Sequence, residues 1–234
     1  PRFLFPTNEG GKIRTANILR HLRGGAFEIV LVSPAPPDTA RFAADIAAVC
    51  DRFVAWPAEP PSPIGRVAAL LGNLPVAVAT DRSAAGRAVI AQELAARPDL
   101  LLVVFPHAAV LLPPGPLPAS VLFTHNVEAE IFARPVAVSN LLWRPIWRSQ
   151  ARKMRRFEGD TLRRFNCAIA VSERDAVVLR RDYALPVVEQ IDTGVDLEFH
   201  PLQPPRPVPA AQGGTVVFVG AMDWRANIDG MSFL

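Results

Sequence analysis

The sequence predicts an α/β fold, a parallel sheet with helices on its faces, on three observations. Short runs rich in β-branched residues are continuously apolar rather than alternating, the pattern of parallel strands buried on both faces. Segments with helical spacing separate these runs, as crossover connections require. Half of the 234 residues are apolar and a fifth are charged, so the chain can bury a core without disulfides or metals and is not mainly disordered.

In chain order, the runs 28–32 (EIVLV), 100–105 (LLLVVF), 121–124 (VLFT), 168–171 (AIAV) and 215–219 (TVVFV) are read as strands, with weaker ones at 53–55 and 187–191. The first helix is placed at 12–22, where Ile13, Ala16, Leu19 and Leu22 recur every three residues and Gly24-Gly25 end the pattern. Helices follow at 39–49, 63–71 and 81–96, the last opened by Asp81 and stopped before Pro98. Asn126 is read as the cap of a helix over 126–133, with Glu128 and Glu130 in its first turn. The longest helix is placed at 140–165. Ser172, with Asp175 three residues on, opens one at 172–181.

Five prolines and a Gly-Gly pair between Asp196 and Gly214 then erase every apolar period. The division expected is a domain over 1–195, a linker over 196–214, and the first strand and helix start of a second α/β domain over 215–234. The chain opens at Pro1 without an initiator Met and closes at Leu234, and both ends are expected to be cuts.

Several function classes are excluded by what is missing. Cys50 and Cys167 stand far apart beside apolar runs and read as reduced core thiols, not a disulfide framework. There is no Gly-x-Gly-x-x-Gly, no phosphate loop ending in Gly-Lys-Ser/Thr, no Gly-x-Ser-x-Gly elbow and no Cys/His set with metal-ligand spacing. No apolar stretch reaches the roughly 18–20 residues of a membrane span. The net charge of +3 does not imply nucleic acid.

Chemistry is sought where strands end and helices begin, because ligands of open parallel sheets bind there. Gly10-Gly11-Lys12 opens the first helix, where backbone N–H groups and the helix dipole favour an anion; an ordinary turn is the competing reading. His125-Asn126 ends one strand and opens a helix, so His125 is a candidate hydrogen-bonding or titrating group, against a merely packed histidine. Ser172 reads first as a cap. Gly194 and Asp196 mark a turn near the domain junction. His107 also follows a strand but sits among prolines and alanines and reads first as structural; His21, inside a helix, and His200, in the linker, are expected to carry no chemistry.

The long helix is basic and amphipathic. Trp143, Trp147, Met154, Phe157, Leu162 and Phe165 form its apolar stripe. Arg144, Arg148, Arg152, Lys153, Arg155, Arg156, Arg163 and Arg164 stand against Glu158 and Asp160, a net +6 that leaves the rest of the chain at −3. Such a helix can lie on an anionic membrane, with Trp143, Arg144, Trp147, Arg148, Arg152, Lys153, Arg155 and Arg156 facing it, or can pack on the core behind a solvated face.

The segments 9–22 (EGGKIRTANILRHL), 123–134 (FTHNVEAEIFAR), 154–165 (MRRFEGDTLRRF), 168–175 (AIAVSERD), 193–196 (TGVD) and 217–230 (VFVGAMDWRANIDG) resemble glycosyltransferase family 4, most closely the bacterial sugar transferases of exopolysaccharide clusters. The resemblance implies a retaining enzyme of GT-B architecture, with two Rossmann-like domains facing a cleft. It also implies a nucleotide-sugar donor, a sugar acceptor and no metal cofactor. The basic Trp-bearing helix points to a lipid-linked acceptor at the inner face of the membrane, the reduced thiols fit the cytoplasm, and no nucleic-acid-binding motif accompanies the arginines. By the same resemblance Gly10, Gly11 and Lys12 would face the donor diphosphate, and His125 would be catalytic near the transferred sugar. Asn126, Glu128 and Ser172 would line or support the acceptor wall. Gly194 and Asp196 would form the junction, and Gly220, Asp223, Trp224 and Arg225 would begin the donor side. The family's paired glutamates and basic phosphate clamp lie further along than residue 234, and its first strand precedes a segment like Pro1–Pro6. The 234-residue chain is therefore expected to be inactive alone. The alternative is a non-catalytic module that docks through its basic helix.

Overall fold

The computed structural model describes residues 1–60, 62–202, 204, 217–220, 222 and 225–232. The chain divides into two compact units, Pro1–Thr193 and Gly194–Leu234.

The first unit is an α/β structure. Its elements are α1 (Gly10–Leu22), β1 (Val30–Ala35), α2 (Ala43–Ala47), β2 (Arg52–Pro57), α3 (Pro63–Leu71), α4 (Val76–Ala79), α5 (Ala84–Ala95), β3 (Leu101–Val104), β4 (Ser120–Phe123), α6 (Glu128–Val138), α7 (Arg144–Leu162), β5 (Cys167–Ala170), α8 (Glu173–Tyr183) and β6 (Val188–Gln190). Short 3-10 helices at Thr39–Phe42 and Pro106–Leu111 complete it. β1 pairs with β2, and a four-stranded sheet runs β3-β4-β5-β6; every pairing is parallel. The continuous apolar runs thus become parallel strands, and the Rossmann-like pattern of consecutive strands joined by helices is present.

Two apolar cores hold the unit. One gathers Val103, Leu122, Leu162, Ala170, Leu179 and Val188 around the four-stranded sheet. The other joins Ala16 and Leu19 of α1 to Val49, Cys50, Phe3, Leu4 and Phe5. The Phe3–Leu4–Phe5 segment has no ladder of its own, yet it is buried. The Phe3 ring meets Phe42 edge-on at 5.5 Å, and Phe5 stacks on Phe42 at 6.0 Å. Burying three large side chains, each contributing roughly 1.5–3 kcal/mol, makes this opening segment a part of the core. Cys50 is buried and Cys167 half-buried, both as free thiols, and burial raises the pKa of each.

Several local expectations need correction. The helix expected from Asp81 starts at Ala84, because Ser83 accepts from the Gly86 amide at 3.0 Å and caps it; Asp81 instead lies 3.7 Å from His107 Nδ1. The helix expected over 39–49 breaks into the 3-10 turn and a five-residue α2. In α7, Met154 and Leu162 are buried, and so is Phe165 just beyond it. Trp147 and Phe157 are half-covered, and Trp143 is 54% exposed, so the apolar stripe is a core face only toward its C-terminal end.

In the second unit α9 (Arg225–Met231) is the one helix among the described residues. Residues 217–219 form no strand, while 215 and 216, most of the Pro-rich segment, Asp223 and Trp224 lie outside the described residues. Asp196 opens a turn there: its Oδ1 accepts from the Glu198 and Phe199 amides, both at 3.0 Å.

Candidate functional site

β4 delivers His125 to the carboxyl end of the sheet. Thr124 fixes the exit, since its amide and hydroxyl both donate to the Ile169 carbonyl at 2.9 Å. Three residues later α6 begins, and its first free N–H groups need acceptors. Asn126, expected to cap this helix, is exposed, and the residue at the cap position is Val127. A carboxylate from α7 takes that role. Glu158 accepts from the Glu128 amide at 2.7 Å, the Ala129 amide at 3.0 Å and the Tyr183 hydroxyl at 2.5 Å. Glu158 is fully buried, and burial raises its pKa against the pull of these three donors. Beside it, a Cβ on Gly159 would lie 2.9 Å from the Tyr183 ring, so the glycine admits the tyrosine that completes the set. The loop carrying His125 is thereby pinned at both ends.

His125 is itself 8% exposed. Its ring stacks on Phe105 with centroids 4.2 Å apart and planes 16° apart, and Phe123 lies 5.3 Å away. Phe105 follows β3 with φ +75°, a conformation rare for a bulky residue and tolerated where surroundings hold it. In that conformation its ring lies against both His125 and Gly11. A Cβ on Gly11 would stand 3.0 Å from Phe105 Cζ and 3.9 Å from His125 Nδ1, whereas one on Gly10 would meet nothing. Of the two glycines, only Gly11 is required for close approach. Gly11→Ala is expected to cost about 1–3 kcal/mol by displacing the Phe105 ring, read as a lower melting temperature, and Gly10→Ala to cost less.

One turn along α1, Arg14 reaches the same ring. Its Nη1 lies 3.4 Å from His125 Nδ1, and its Nη2 donates to the Thr193 hydroxyl. A guanidinium only donates. Nδ1 is therefore the acceptor, and the imidazole proton sits on Nε2. Burial, and then the Arg14 charge, lower the His125 pKa to about 4, so the ring is neutral at pH 7. Its Nε2–H is buried with no partner among the described residues, as is Arg14 Nε. A neutral ring with a fixed, unpaired N–H can donate a hydrogen bond to an oxygen but is a poor base near neutrality.

The other expected site residues lie as follows. Lys12 sits 3.8 Å from Glu9. The Glu128 carboxylate stands 3.5 Å from His107 Nε2, and His107 Nδ1 is 3.7 Å from Asp81, so Glu128 joins a separate polar group rather than His125. Ser172 caps α8 by accepting from the Asp175 amide at 3.2 Å. Gly194, Asp196, Gly220 and Arg225 belong to the second unit. At Gly220 a Cβ would meet Phe218 at 2.6 Å, a close approach within that unit. Among the described residues no cluster of His, Cys, Asp and Glu could hold a metal.

Sequence reasoning missed Arg14, Phe105, Glu158 and Thr193. Arg14 had a readable signal: it lies three and four residues beyond the two glycines, on one helix face. Glu158 had a weaker one, as one of two acids in a strongly basic helix. Nothing in the sequence announced the positive φ of Phe105.

No curated protein sequence and no solved structure matches the chain. A family model, Glycosyltransferase Family 4, matches residues 9–199, which hold the whole His125 site and most of the described structure. A parallel α/β unit with a glycine-opened first helix against a strand-end histidine, matched over more than half its length, makes this chain a member of glycosyltransferase family 4.

Proposed function

We propose that the chain is the acceptor-side part of a retaining sugar transferase, of hexosyltransferase type, acting in the cytoplasm at the inner face of the membrane. It moves a sugar from a nucleotide-activated donor to a saccharide or lipid-linked acceptor in surface polysaccharide or glycolipid synthesis. The observation that supports this reading is the His125 ring: neutral, oriented by Arg14, and carrying an unpaired Nε2–H at the carboxyl end of a parallel sheet. His125 donates to a hydroxyl of the transferred sugar. Gly10 and Gly11 begin the 13-residue α1, whose dipole favours the donor diphosphate. Arg14 adds positive charge where phosphate charge grows as the leaving group departs. Helix termini and basic side chains meet that need without a metal. Asn126 and Ser172 stand on the acceptor wall, and Gly220, Asp223, Trp224 and Arg225 open the donor side.

The test is transfer by the gene's whole product, using labelled nucleotide-sugars with lipid extracts and oligosaccharides as acceptors. Label is expected in the acceptor, with the donor's anomeric configuration kept. Absence of transfer with every nucleotide-sugar, while the product is folded, would favour the non-catalytic docking module.

A further inference from the structure

The hold of Arg14 on His125 is weak by itself. The 3.4 Å from Nη1 to His125 Nδ1 is longer than a typical protein hydrogen bond. The backbone of Arg14 is fixed, because Ala16 and Leu19 seat α1 in the core. The guanidinium is not fixed by that. It ends a long side chain with large rotamer freedom, and burial works against its charge.

A second contact decides where the guanidinium lies. Nη2 donates to the hydroxyl of Thr193, 179 residues further along the chain. A guanidinium is a rigid planar fork, so seating Nη2 on one acceptor also sets the direction of Nη1. Thr193 is in turn placed by the sheet. β6 runs beside β5, and the Ile191 amide donates to the Ala170 carbonyl at 2.9 Å, two residues before Thr193. Gln190 Nε2 donates to Asp192 Oδ1 at 2.6 Å and shapes the turn between them. On the other side a Cβ on Gly194 would meet nothing, so the hydroxyl is held from the β6 side.

The chemistry of the acceptor matters as well. A carboxylate at position 193 would seat the fork but would also cancel its charge. A hydroxyl accepts the hydrogen bond and leaves the charge to act on the ring. Both acceptors of Arg14, the imidazole and the hydroxyl, are neutral. Glu128, the nearest acid along the chain, faces His107 at 3.5 Å instead. The charge felt by the His125 ring is that of Arg14.

We propose that Thr193 is a positioning residue of the His125 site: its hydroxyl holds the Arg14 guanidinium against His125 Nδ1, so that the ring proton stays on Nε2. Its neutrality is the second part of the role, because it keeps the cation unpaired beside the ring. The effect on transfer rests on the function proposed above; the effect on the ring does not.

The 234-residue chain, labelled with nitrogen-15 in its histidines, is followed by NMR, and His125→Phe identifies the His125 signals among the four histidines. At pH 7 the parent is expected to carry its proton on Nε2, and to titrate at about 4. Thr193→Val keeps the shape and removes the acceptor. It should bring in the Nδ1–H form and move the titration up from about 4 toward 6.5. Thr193→Ser restores the hydroxyl and should titrate as the parent does. Thr193→Asp should separate the two parts of the role. The proton stays on Nε2 because Arg14 is still held, while the titration moves up because its charge is cancelled. Thr193 is exposed, so circular dichroism should match the parent for all three variants. In the whole enzyme Thr193→Val should lower kcat about tenfold to a hundredfold with KM little changed, as a displaced catalytic group does. An unmoved tautomer and titration in Thr193→Val, or a Thr193→Ser variant that behaves like it, would overturn the proposal. A ring that responds as expected, in a protein whose whole product transfers no sugar, would sink the function proposed above and leave the positioning intact.

Discussion

Replacing His125 by Phe is expected to lower sugar transfer by the whole enzyme about 10²–10³-fold, the usual loss for one positioned donor, while leaving the melting temperature close to the parent's. Phe keeps the stacked ring against Phe105 and removes the Nε2–H together with the Nδ1 acceptor that faces Arg14 at 3.4 Å, so Arg14→Gln is the control for the second loss. His125→Gln, which returns an N–H near the same place, is expected to recover part of the activity. His125→Ala is the less informative variant. The sequence alone suggests that a strand-end histidine carries little packing, but the ring is 8% exposed between two phenylalanines. Its removal opens a cavity at a cost of about 2–4 kcal/mol, so the fold suffers along with the chemistry. If the Phe variant transfers at the parental rate, His125 leaves the site.

The same ring has a pH signature. Its folded pKa, about 4, lies below the ordinary value of 6.5 because burial and Arg14 disfavour the cation. The unfolded chain therefore binds a proton between these values that the folded chain refuses. The stability tied to neutral His125 is full above pH 6.5 and lost as pH falls through about 4, up to about 3 kcal/mol in all. Removing the Arg14 charge with Arg14→Gln should move the His125 titration toward pH 6.5, seen as a shifted ring resonance in NMR. An unmoved titration would show that Arg14 does not act on the ring.

Glu158→Leu should produce the largest stability loss of any single change near the site, about 3–5 kcal/mol. It orphans the Glu128 and Ala129 amides and the Tyr183 hydroxyl together, the first and last in the interior and the Ala129 amide partly covered. Glu158→Gln should cost less, about 1–3 kcal/mol, since its amide nitrogen faces one of those donors without an acceptor. Asp160 is the control. It stands two residues away on the same helix, is exposed, and pairs with Arg163 at 2.7 Å on the surface. Asp160→Asn should change stability by less than about 0.5 kcal/mol. Equal melting temperatures for the Glu158→Leu and Asp160→Asn variants would remove Glu158 as the anchor of α6. Because α6 begins three residues after His125, the Glu158 variants should also lose transfer, by displacing the ring rather than by touching substrate.

The fold class was legible because hydrophobic continuity and helix caps are local. Strands 101–104 and 120–123 fall inside or within one residue of their apolar runs, and Ser172 caps α8 from three residues away, as its spacing indicates. The strand-end placement of His125 and the glycines ahead of α1 were legible for the same reason. Expectations failed where a distant group displaced a neighbour. Asn126 was the local candidate to cap α6, but Glu158, thirty residues beyond Glu128, holds two of its amides at once and is buried doing so. The 140–165 stripe was read as one apolar face, yet its first turn is exposed because no element among the described residues covers it.

Sequence by itself determined the fold class, the parallel character of the sheet, most strands and helices of the first unit and the family, since these follow from periodicity and motifs carried within a few residues. Only the tertiary structure decided the protonation of His125, the need for glycine at position 11 and the anchoring by Glu158. Each of these depends on what stands, or fails to stand, across a gap of a few ångströms from a residue far away in the chain. The free energy of a buried polar or apolar group is set by that neighbour.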